Sequence, residues 1–489
     1  MASSIFVDFH ADVPALTQDD PGVALLPLLK QLKGWEEILD EEDVAIVQIN
    51  GAMTNLIFRA QNLLTSEFVL VRVFGEVDTL FSREDEQRIF AAVAHAGLGP
   101  RLLACFCNGR VEEFLLDQSI SAAEMREAPV ALCVAAALAC FHFSELAIAT
   151  GSAGAPLRAI VWPRLRTWAR AVAGLYSPAE LAELRLTSVL PQVDALEAAL
   201  SSGAAALLGF CHNDLQYGNM LLHTSAARSL SANRLGPATA HAVAMADRAV
   251  RGGSPPPRGA GSAWGDSPRG WSPEPAGVLP RRGSTWGGAR GFSPDELEPA
   301  TSDGELVADL LHDAAAELGG PPGSGVSSSD GSGGGGGERR GRNHFRARLS
   351  VRLIDYEYAG VNPVAFDIAN NWCEYAADYH ADPPHQLDYS LLPNKAHQER
   401  FVRAYLHAAD ALREDASCYG VAACVADDAL DAGVEALRAA ALAFLPVSHL
   451  LWGLWGLIQA RVSQLPDFDF TAYAQQRLQQ FRITSGPLL

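Results

Sequence analysis

Two stretches of this chain carry residues with the types and spacing for chemistry. Cys211-His212-Asn213-Asp214-Leu215-Gln216-Tyr217-Gly218-Asn219 has the form H-x-D-L-x-x-x-N and follows an apolar strand pattern. Far downstream, Leu353-Ile354-Asp355-Tyr356-Glu357 is an apolar strand ending in an acid. Asp214 can accept the proton of an attacking alcohol. Asn219, five positions on, can ligate a cation through its side-chain oxygen. Asp355 can bridge that cation to phosphates. Hard oxygen ligands in small number suit Mg²⁺ on a nucleotide. The set meets the needs of kinase-type phosphoryl transfer from ATP, with Asp214, Asn219 and Asp355 as catalytic candidates and Asn219 and Asp355 as metal ligands. Either motif alone is as readily an Asx-turn or a capped strand. Both in this order, after a sheet with a Gly turn, favour the chemistry.

Further residues fit a nucleotide. The turn Asn50-Gly51-Ala52-Met53-Thr54-Asn55 joins two strand patterns. Gly51, Thr54 and Asn55 stand where backbone N–H groups and a hydroxyl can cover phosphates, although an ordinary hairpin turn has the same composition. Arg72 lies mid-strand between Val71 and Val73, where a kinase places its phosphate-contacting cation. Glu86, on the helix that follows, is expected to pair with it. His212 is expected to hold its loop rather than to move protons.

At the other end of the chain, Trp452 and Trp455 are three apart on a helical pattern, so both rings share a face. Aromatic faces attract alkylammonium ions by about 0.5–2 kcal/mol each. Core packing is the simpler reading of such a pair taken alone. Tyr379, Glu374 and Glu357 add aromatic and acidic groups able to balance a positive charge.

The elements that must position these groups are legible in the hydrophobic pattern. A helix is expected over about Gly22 to Trp35, with Leu25, Leu26, Leu29 and Leu32 on one face. Strands are expected at Val44–Ile49, Leu56–Ala60 and Phe68–Phe74, then a helix from about Ser82. Two more strands, Leu102–Cys107 and Val111–Leu115, meet at the hairpin signal Asn108-Gly109. This predicts a five-stranded antiparallel sheet with one inserted helix. After Glu124 the chain is Ala- and Leu-rich and mainly helical. Residues 224–348 break the pattern with Pro-Pro-Pro, Ser-Pro pairs (Ser254, Ser267, Ser272, Ser293) and the run Gly333 to Gly337. They read as a disordered insertion, with one helix candidate at a capping box, Ser302-x-x-Glu305. The expected organisation is a nucleotide-binding lobe at 1–115, a second lobe at 116–223 and 349–489, and the insertion at 224–348 between its halves.

Composition narrows the function classes. The 489 residues carry a formal net charge of −20, which argues against nucleic acid as a partner. No two of the 8 cysteines form a CxxC pair, and Cys105, Cys107, Cys133 and Cys140 read as thiols of a reducing, cytoplasmic compartment. No basic leader is apparent at the N-terminus, and no stretch reads as long and apolar enough to span a bilayer, Trp452 to Ala460 being too short.

The motifs together resemble the choline/ethanolamine kinase family. The likeness rests on His212 to Asn219, Ile354-Asp355-Tyr356-Glu357-Tyr358, Phe366-Asp367-Ile368-Ala369-Asn370, Cys373-Glu374, Asp378-Tyr379 and Leu451-Trp452-Gly453-Leu454-Trp455. Asn108-Gly109-Arg110-Val111-Glu112-Glu113-Phe114 resembles the strand leading to the hinge between lobes. The resemblance implies an α+β, protein-kinase-like bilobal fold, with a small antiparallel sheet lobe and a mainly helical lobe. It implies ATP and Mg²⁺, and phosphorylation of choline or ethanolamine as the first step of phospholipid headgroup synthesis. By the family pattern Asp214 is the base, Asn219 and Asp355 hold the metal, and Gly51, Thr54, Asn55, Arg72 and Glu86 serve ATP. Gln216, Glu357, Tyr379, Trp452 and Trp455 then serve the amino alcohol. The stretch Asp355 to Asp378 looks most like plant choline kinases, so choline is the expected substrate. An ethanolamine kinase, an aminoglycoside-type kinase and a pseudokinase scaffold are the alternatives, and a homodimer is a further expectation. Two departures stand out: the link between the catalytic motifs is very long, and Gly51-Ala52 replaces a usual pair of glycines.

Overall fold

The computed structural model describes residues 5–13, 16, 21–49, 55–75, 80, 82–150, 156–224, 349–415, 427–463, 467–486 and 488. The insertion from residue 225 on, with its helix candidate and Ser-Pro sites, lies outside the described residues, while Thr224, its expected first residue, ends a strand. So do Gly51 and Thr54 of the expected phosphate turn.

Strand β1 (Ile5–Phe6) precedes helix α1 (Pro21–Leu29), and β2 (Val44–Ile49), β3 (Asn55–Asn62) and β4 (Phe68–Phe74) follow. Helix α2 (Arg83–His95) separates these from the hairpin β5 (Leu102–Phe106) and β6 (Gly109–Glu113). The sheet has six strands in the order β1-β5-β6-β4-β3-β2, not the expected five. The addition is β1, which pairs parallel with β5 at Ile5↔Ala104. Two residues are too few to show a period, so sequence patterning misses such a strand. Helix α1 also stops at Leu29, short of Trp35, although Leu32 and Trp35 are buried with it. This lobe has its own core, in which Leu25, Leu28, Phe58, Val71 and Val111 are fully covered. Helix α2 begins at Ser82, whose hydroxyl accepts from Asp85 N, and Glu84, Asp85 and Glu86 fill its first turn. Acids there complement the helix dipole.

The second lobe is mainly helical. It comprises β7 (Gln118–Ser119), α3 (Ala128–His142), α4 (Val161–Leu175), β8 (Leu208–Cys211), β9 (Met220–Thr224), β10 (Leu349–Leu353), β11 (Gly360–Pro363), α5 (Val364–Glu374), α6 (Lys395–Asp415), α7 (Asp427–Val462) and α8 (Phe470–Ser485). Two small sheets carry the chemistry: β10-β9-β7 and β11-β8. Strands β9 and β10 pair antiparallel from Leu353↔Met220 to Leu349↔Thr224. The chain therefore leaves for residues 225–348 and returns at one pair of opposed residues.

By length and composition, Leu430–Val462 of α7 is apolar enough to cross a membrane, which corrects the sequence expectation. Its most apolar window is 83% buried inside the fold. A helix apolar on all sides suits a core position, and Phe444, Val447, Leu450, Leu454 and Leu457 are fully covered. Helix α8 packs along α7 over Gly453 and Gly456. A Cβ at Gly453 would lie 2.9 Å from Leu478 Cδ2, so glycine permits the close approach that brings α8 to the tryptophans.

Candidate active site

The loop after β8 is held by side chains of the helix that follows β11. Asp367 of α5 accepts from His212 N (Oδ2, 2.8 Å) and Asn213 N (Oδ1, 2.8 Å). His142 Nε2 donates to Asp367 Oδ2 at 2.9 Å, and its Nδ1 meets Tyr405 OH at 2.8 Å. Burial by itself would raise the Asp367 carboxyl, but His142 and the backbone N–H of His212 outweigh it and hold it below the usual carboxylate range. Asn370 Nδ2 donates to Asn213 O (3.2 Å) and Asn371 Nδ2 to Leu215 O (3.1 Å). Asn213 has φ 66°, in the left-handed region that asparagine tolerates better than most residues. Its amide donates to Tyr358 O (2.9 Å) and accepts from Asn362 Nδ2 (2.7 Å), which ties the first motif to the second.

Asp214 emerges from this scaffold partly exposed. Asn219 Nδ2 donates to Asp214 O (2.8 Å) and to Asp214 Oδ2 (3.1 Å). That turns Asn219 Oδ1 outward, where Gln216 Nε2 meets it at 3.3 Å. Burial, then Glu374, Glu357 and Asp355, push the Asp214 carboxyl well above its ordinary value. A site that concentrates negative charge in this way favours cations.

The second loop docks on the first. Ile354 N donates to Asn219 O at 3.0 Å, and His212 Nε2 donates to Ile354 O at 2.9 Å. A carbonyl only accepts, so Nε2 carries the hydrogen. Burial lowers the His212 pKa, which keeps the ring neutral, in accord with a positioning role. Asp355 is also left-handed, at φ 65°. Its Oδ1 is buried without a hydrogen-bond partner and lies 3.5 Å from Arg72 Nη1. A buried carboxylate oxygen of this kind, with Asn219 in the adjoining loop, fits a hard divalent cation. Among the described residues, the one cluster of His, Cys and acid with metal-like spacing is His142, Cys211 and Asp367. Its atoms are committed elsewhere: burial raises the Cys211 thiol well above its ordinary pKa, and the thiol donates to Asn362 O.

On the nucleotide side, Arg72 does not take Glu86 as its partner. Arg72 Nε pairs with Glu112 Oε1 (3.2 Å), and Glu86 is held by Arg110 Nη1 (2.9 Å) and Arg83 Nη1 (3.0 Å). The reason is register. Arg110 lies directly opposite Arg72 on β6 and binds Glu112 Oε1 at 2.6 Å, so one acid serves two guanidiniums. The strand pattern Arg110-x-Glu112 puts both on one face, a signal the sequence held. Asn55 opens β3 and is buried.

The aromatic side is built on α7 and α8. Trp452 Nε1 donates to Asn370 Oδ1 (2.7 Å) and Trp455 Nε1 to Tyr358 OH (3.0 Å). Their rings are 5.6 Å apart at 74°. Tyr473 lies 6.0 Å from Trp455, Phe468 lies 5.6 Å from Tyr473, and Tyr379 lies 6.3 Å from Phe468. Tyr379 stacks on Tyr217 and donates from its hydroxyl to Glu374 Oε2 at 2.7 Å. Burial, reinforced by Glu374, pushes that phenol well above its ordinary pKa, so it stays a donor.

The profile of the choline/ethanolamine kinase family matches residues 46–232 and 343–482. The chain belongs to that family. A probable choline kinase of Arabidopsis thaliana is 28% identical over 460 residues, covering 93% of this chain and 89% of its own length. A probable ethanolamine kinase of Nematostella vectensis is 39% identical over 140 residues, 29% of this chain and 36% of that protein. Among solved structures, a choline kinase from Cryptosporidium parvum aligns with TM-score 0.58 at 18% identity over 96% of both chains. An ethanolamine kinase from Plasmodium vivax aligns with TM-score 0.55 at 17% identity, over 94% of this chain and 86% of that one. The fold is the protein-kinase-like bilobal one.

In this kinase-family chain, tertiary contacts bring Asp214, Asn219, Gln216, Asp355 and Arg72 to one place, and link Tyr379 and Glu374 to Trp455 through Phe468, Arg477 and Tyr473. Glu357 acts on Asp214 through its charge. Several residues in the site had no assigned role in the sequence reading. Asp367 and Asn370 lay in a quoted motif without one. Arg477, Tyr473 and Phe468 were not singled out, because their spacing on and before α8 is that of any amphipathic helix.

Proposed function

We propose that this protein transfers the γ-phosphate of ATP to the hydroxyl of choline, and less efficiently of ethanolamine. The observation that carries the reading is the docking of Ile354 N on Asn219 O, which sets Asp355, whose Oδ1 has Arg72 at 3.5 Å and no hydrogen bond, in the loop beside Asp214. Asp214 orients the alcohol and accepts its proton, a step of about 10²–10⁴-fold in rate for a positioned base. Asn219 and Asp355 would hold Mg²⁺, which when bound neutralises charge on the phosphates. Arg72, kept in place by Glu112, extends from β4 toward the same phosphates. Trp452, Trp455, Tyr379 and Tyr473 supply aromatic faces for an alkylammonium, with Asp214 and Glu357 as its counter-charges. Free thiols at Cys105, Cys133, Cys211 and Cys373 support a reducing, cytoplasmic setting.

The test is ADP release at saturating Mg·ATP with choline, ethanolamine and an aminoglycoside in parallel. Choline is expected to give the highest kcat/KM. Turnover of the aminoglycoside alone would replace the substrate assignment. Mg·ATP binding without any phosphorylated product would leave a scaffold instead of an enzyme.

A further inference from the structure

Glu374 is the acid bonded to Tyr379 of the aromatic wall, yet little of it is open to a substrate. Its side chain is 3% exposed, and both oxygens are engaged. Oε2 accepts from Tyr379 OH, and Oε1 is ion-paired with Arg477 Nη2. The Arg477 side chain is itself fully buried. Its Nε donates to Tyr473 OH at 3.0 Å, and its guanidinium lies 5.2 Å from the Tyr473 ring centre. An arginine in such a place stays charged, so the Glu374 charge is offset within the protein.

The consequence lies in how two kinds of ammonium are recognised. A primary ammonium carries three N–H donors and loses free energy on burial unless acceptors meet them. A quaternary ammonium has no N–H and needs only aromatic faces and a negative field. Glu357 and Asp355 also contribute negative charge beside Asp214. We infer that Arg477 is a specificity-determining positioning residue: by occupying Glu374 it withholds the acceptor that a primary ammonium needs, and so biases this site toward quaternary substrates. The inference rests on the amino-alcohol kinase reading above.

The experiment compares kcat/KM for choline and ethanolamine on the full chain, with thermal melting as the control for folding. Arg477→Met is expected to lower the choline-to-ethanolamine ratio tenfold or more, chiefly through a lower KM for ethanolamine. Adding Glu374→Gln to that variant should return the ratio to near the wild-type value, and Arg477→Lys should preserve it. A ratio within twofold of wild type in folded Arg477→Met would overturn the inference. Should Arg477→Met fail to fold, Glu374→Gln alone decides. It leaves an unopposed guanidinium, so KM should rise for both substrates in parallel with little change in kcat. An unchanged KM in that variant overturns the inference. Wild-type protein that turns over neither amino alcohol would overturn the function and this inference with it.

Discussion

The two ends of the site are built on opposite plans. At the phosphate end, Asp214, Asn219 and Asp355 sit on loops, two of whose residues adopt left-handed backbone, and Asp355 Oδ1 has no hydrogen-bond partner. At the aromatic end, the tryptophans and Tyr473 sit on helices, Tyr379 lies just beyond α5, and the one buried acid is paired with Arg477. The contrast follows the ligands. A metal–phosphate group needs oxygen lone pairs not already taken up by hydrogen bonds, and Asp355 Oδ1 has only the Arg72 guanidinium, at 3.5 Å, beside it. An alkylammonium needs a rigid apolar wall, and an unpaired acid in such a wall would be expensive to bury. Left-handed backbone is therefore found in the loops that carry Asp214 and Asp355, while both indoles, Tyr379 and Glu374 of the aromatic wall are hydrogen-bonded.

The strongest way to break this contrast is at the phosphate end. Asp214→Ala should lower turnover by about 10³-fold, within the range of a lost general base, with an unchanged thermal midpoint. Near-normal rates would remove Asp214 from the mechanism. Asp367→Ala should cost stability instead, by about 3–5 kcal/mol, since it strands the His212 and Asn213 N–H groups and the His142 ring in the core. Denaturant unfolding measures that loss, and an unaltered midpoint would mean the loop has other supports. At the aromatic end, Trp452→Phe keeps a ring but drops the bond to Asn370. A loss of about 1–2 kcal/mol in kcat/KM for choline is expected, about tenfold, appearing as raised KM.

Acidity offers a milder probe. His212 and His449 are both buried with pKa values depressed below the ordinary imidazole value of about 6.5. Unfolding lets them take up protons that the folded state refuses. Their contribution is thus fully present above pH 6.5 and is lost as pH falls below it toward the folded values. Melting at pH 7.5, 6.5 and 5.5 should show a midpoint that drops across the last interval, and a flat profile would contradict neutral burial. The smallest effect is expected from replacing residues 225–348 with a short turn. Thr224 and Leu349 already pair, and loop closure depends only weakly on length. Choline kinetics should stay within about threefold; a larger change would give the insertion a role at the site.

Much of this was legible beforehand, for identifiable reasons. Strands such as Phe68–Phe74 show both period and bounds, and the helix after Ser82 begins with a cap. The motif from His212 to Asn219 stood out because an acid and an amide five residues apart follow an apolar strand, and the short loop brings Asn219 Nδ2 to Asp214. The partner of Arg72 was not, because Glu112 reaches it across a strand register, and register is a property of pairing. Strand β1 was missed because two residues carry no period. The apolar length of α7 was underestimated because Pro446, Ser448 and His449 interrupt the run before Trp452, while the helix continues through them to Val462.

What the sequence by itself determined is the set of groups available: two carboxylates and an amide in two short motifs, an arginine on a central strand and paired indoles, each specified by residue type and local spacing. The tertiary structure decided which charges remain free. Arg477 and Glu374 are 103 residues apart, and Asp355 Oδ1 has only an ion pair with Arg72 while both oxygens of Asp367 accept hydrogen bonds. Whether an acid is neutralised or available depends on what the fold brings within a few ångströms of it. Electrostatic interaction falls with distance in space and takes no account of distance along the chain.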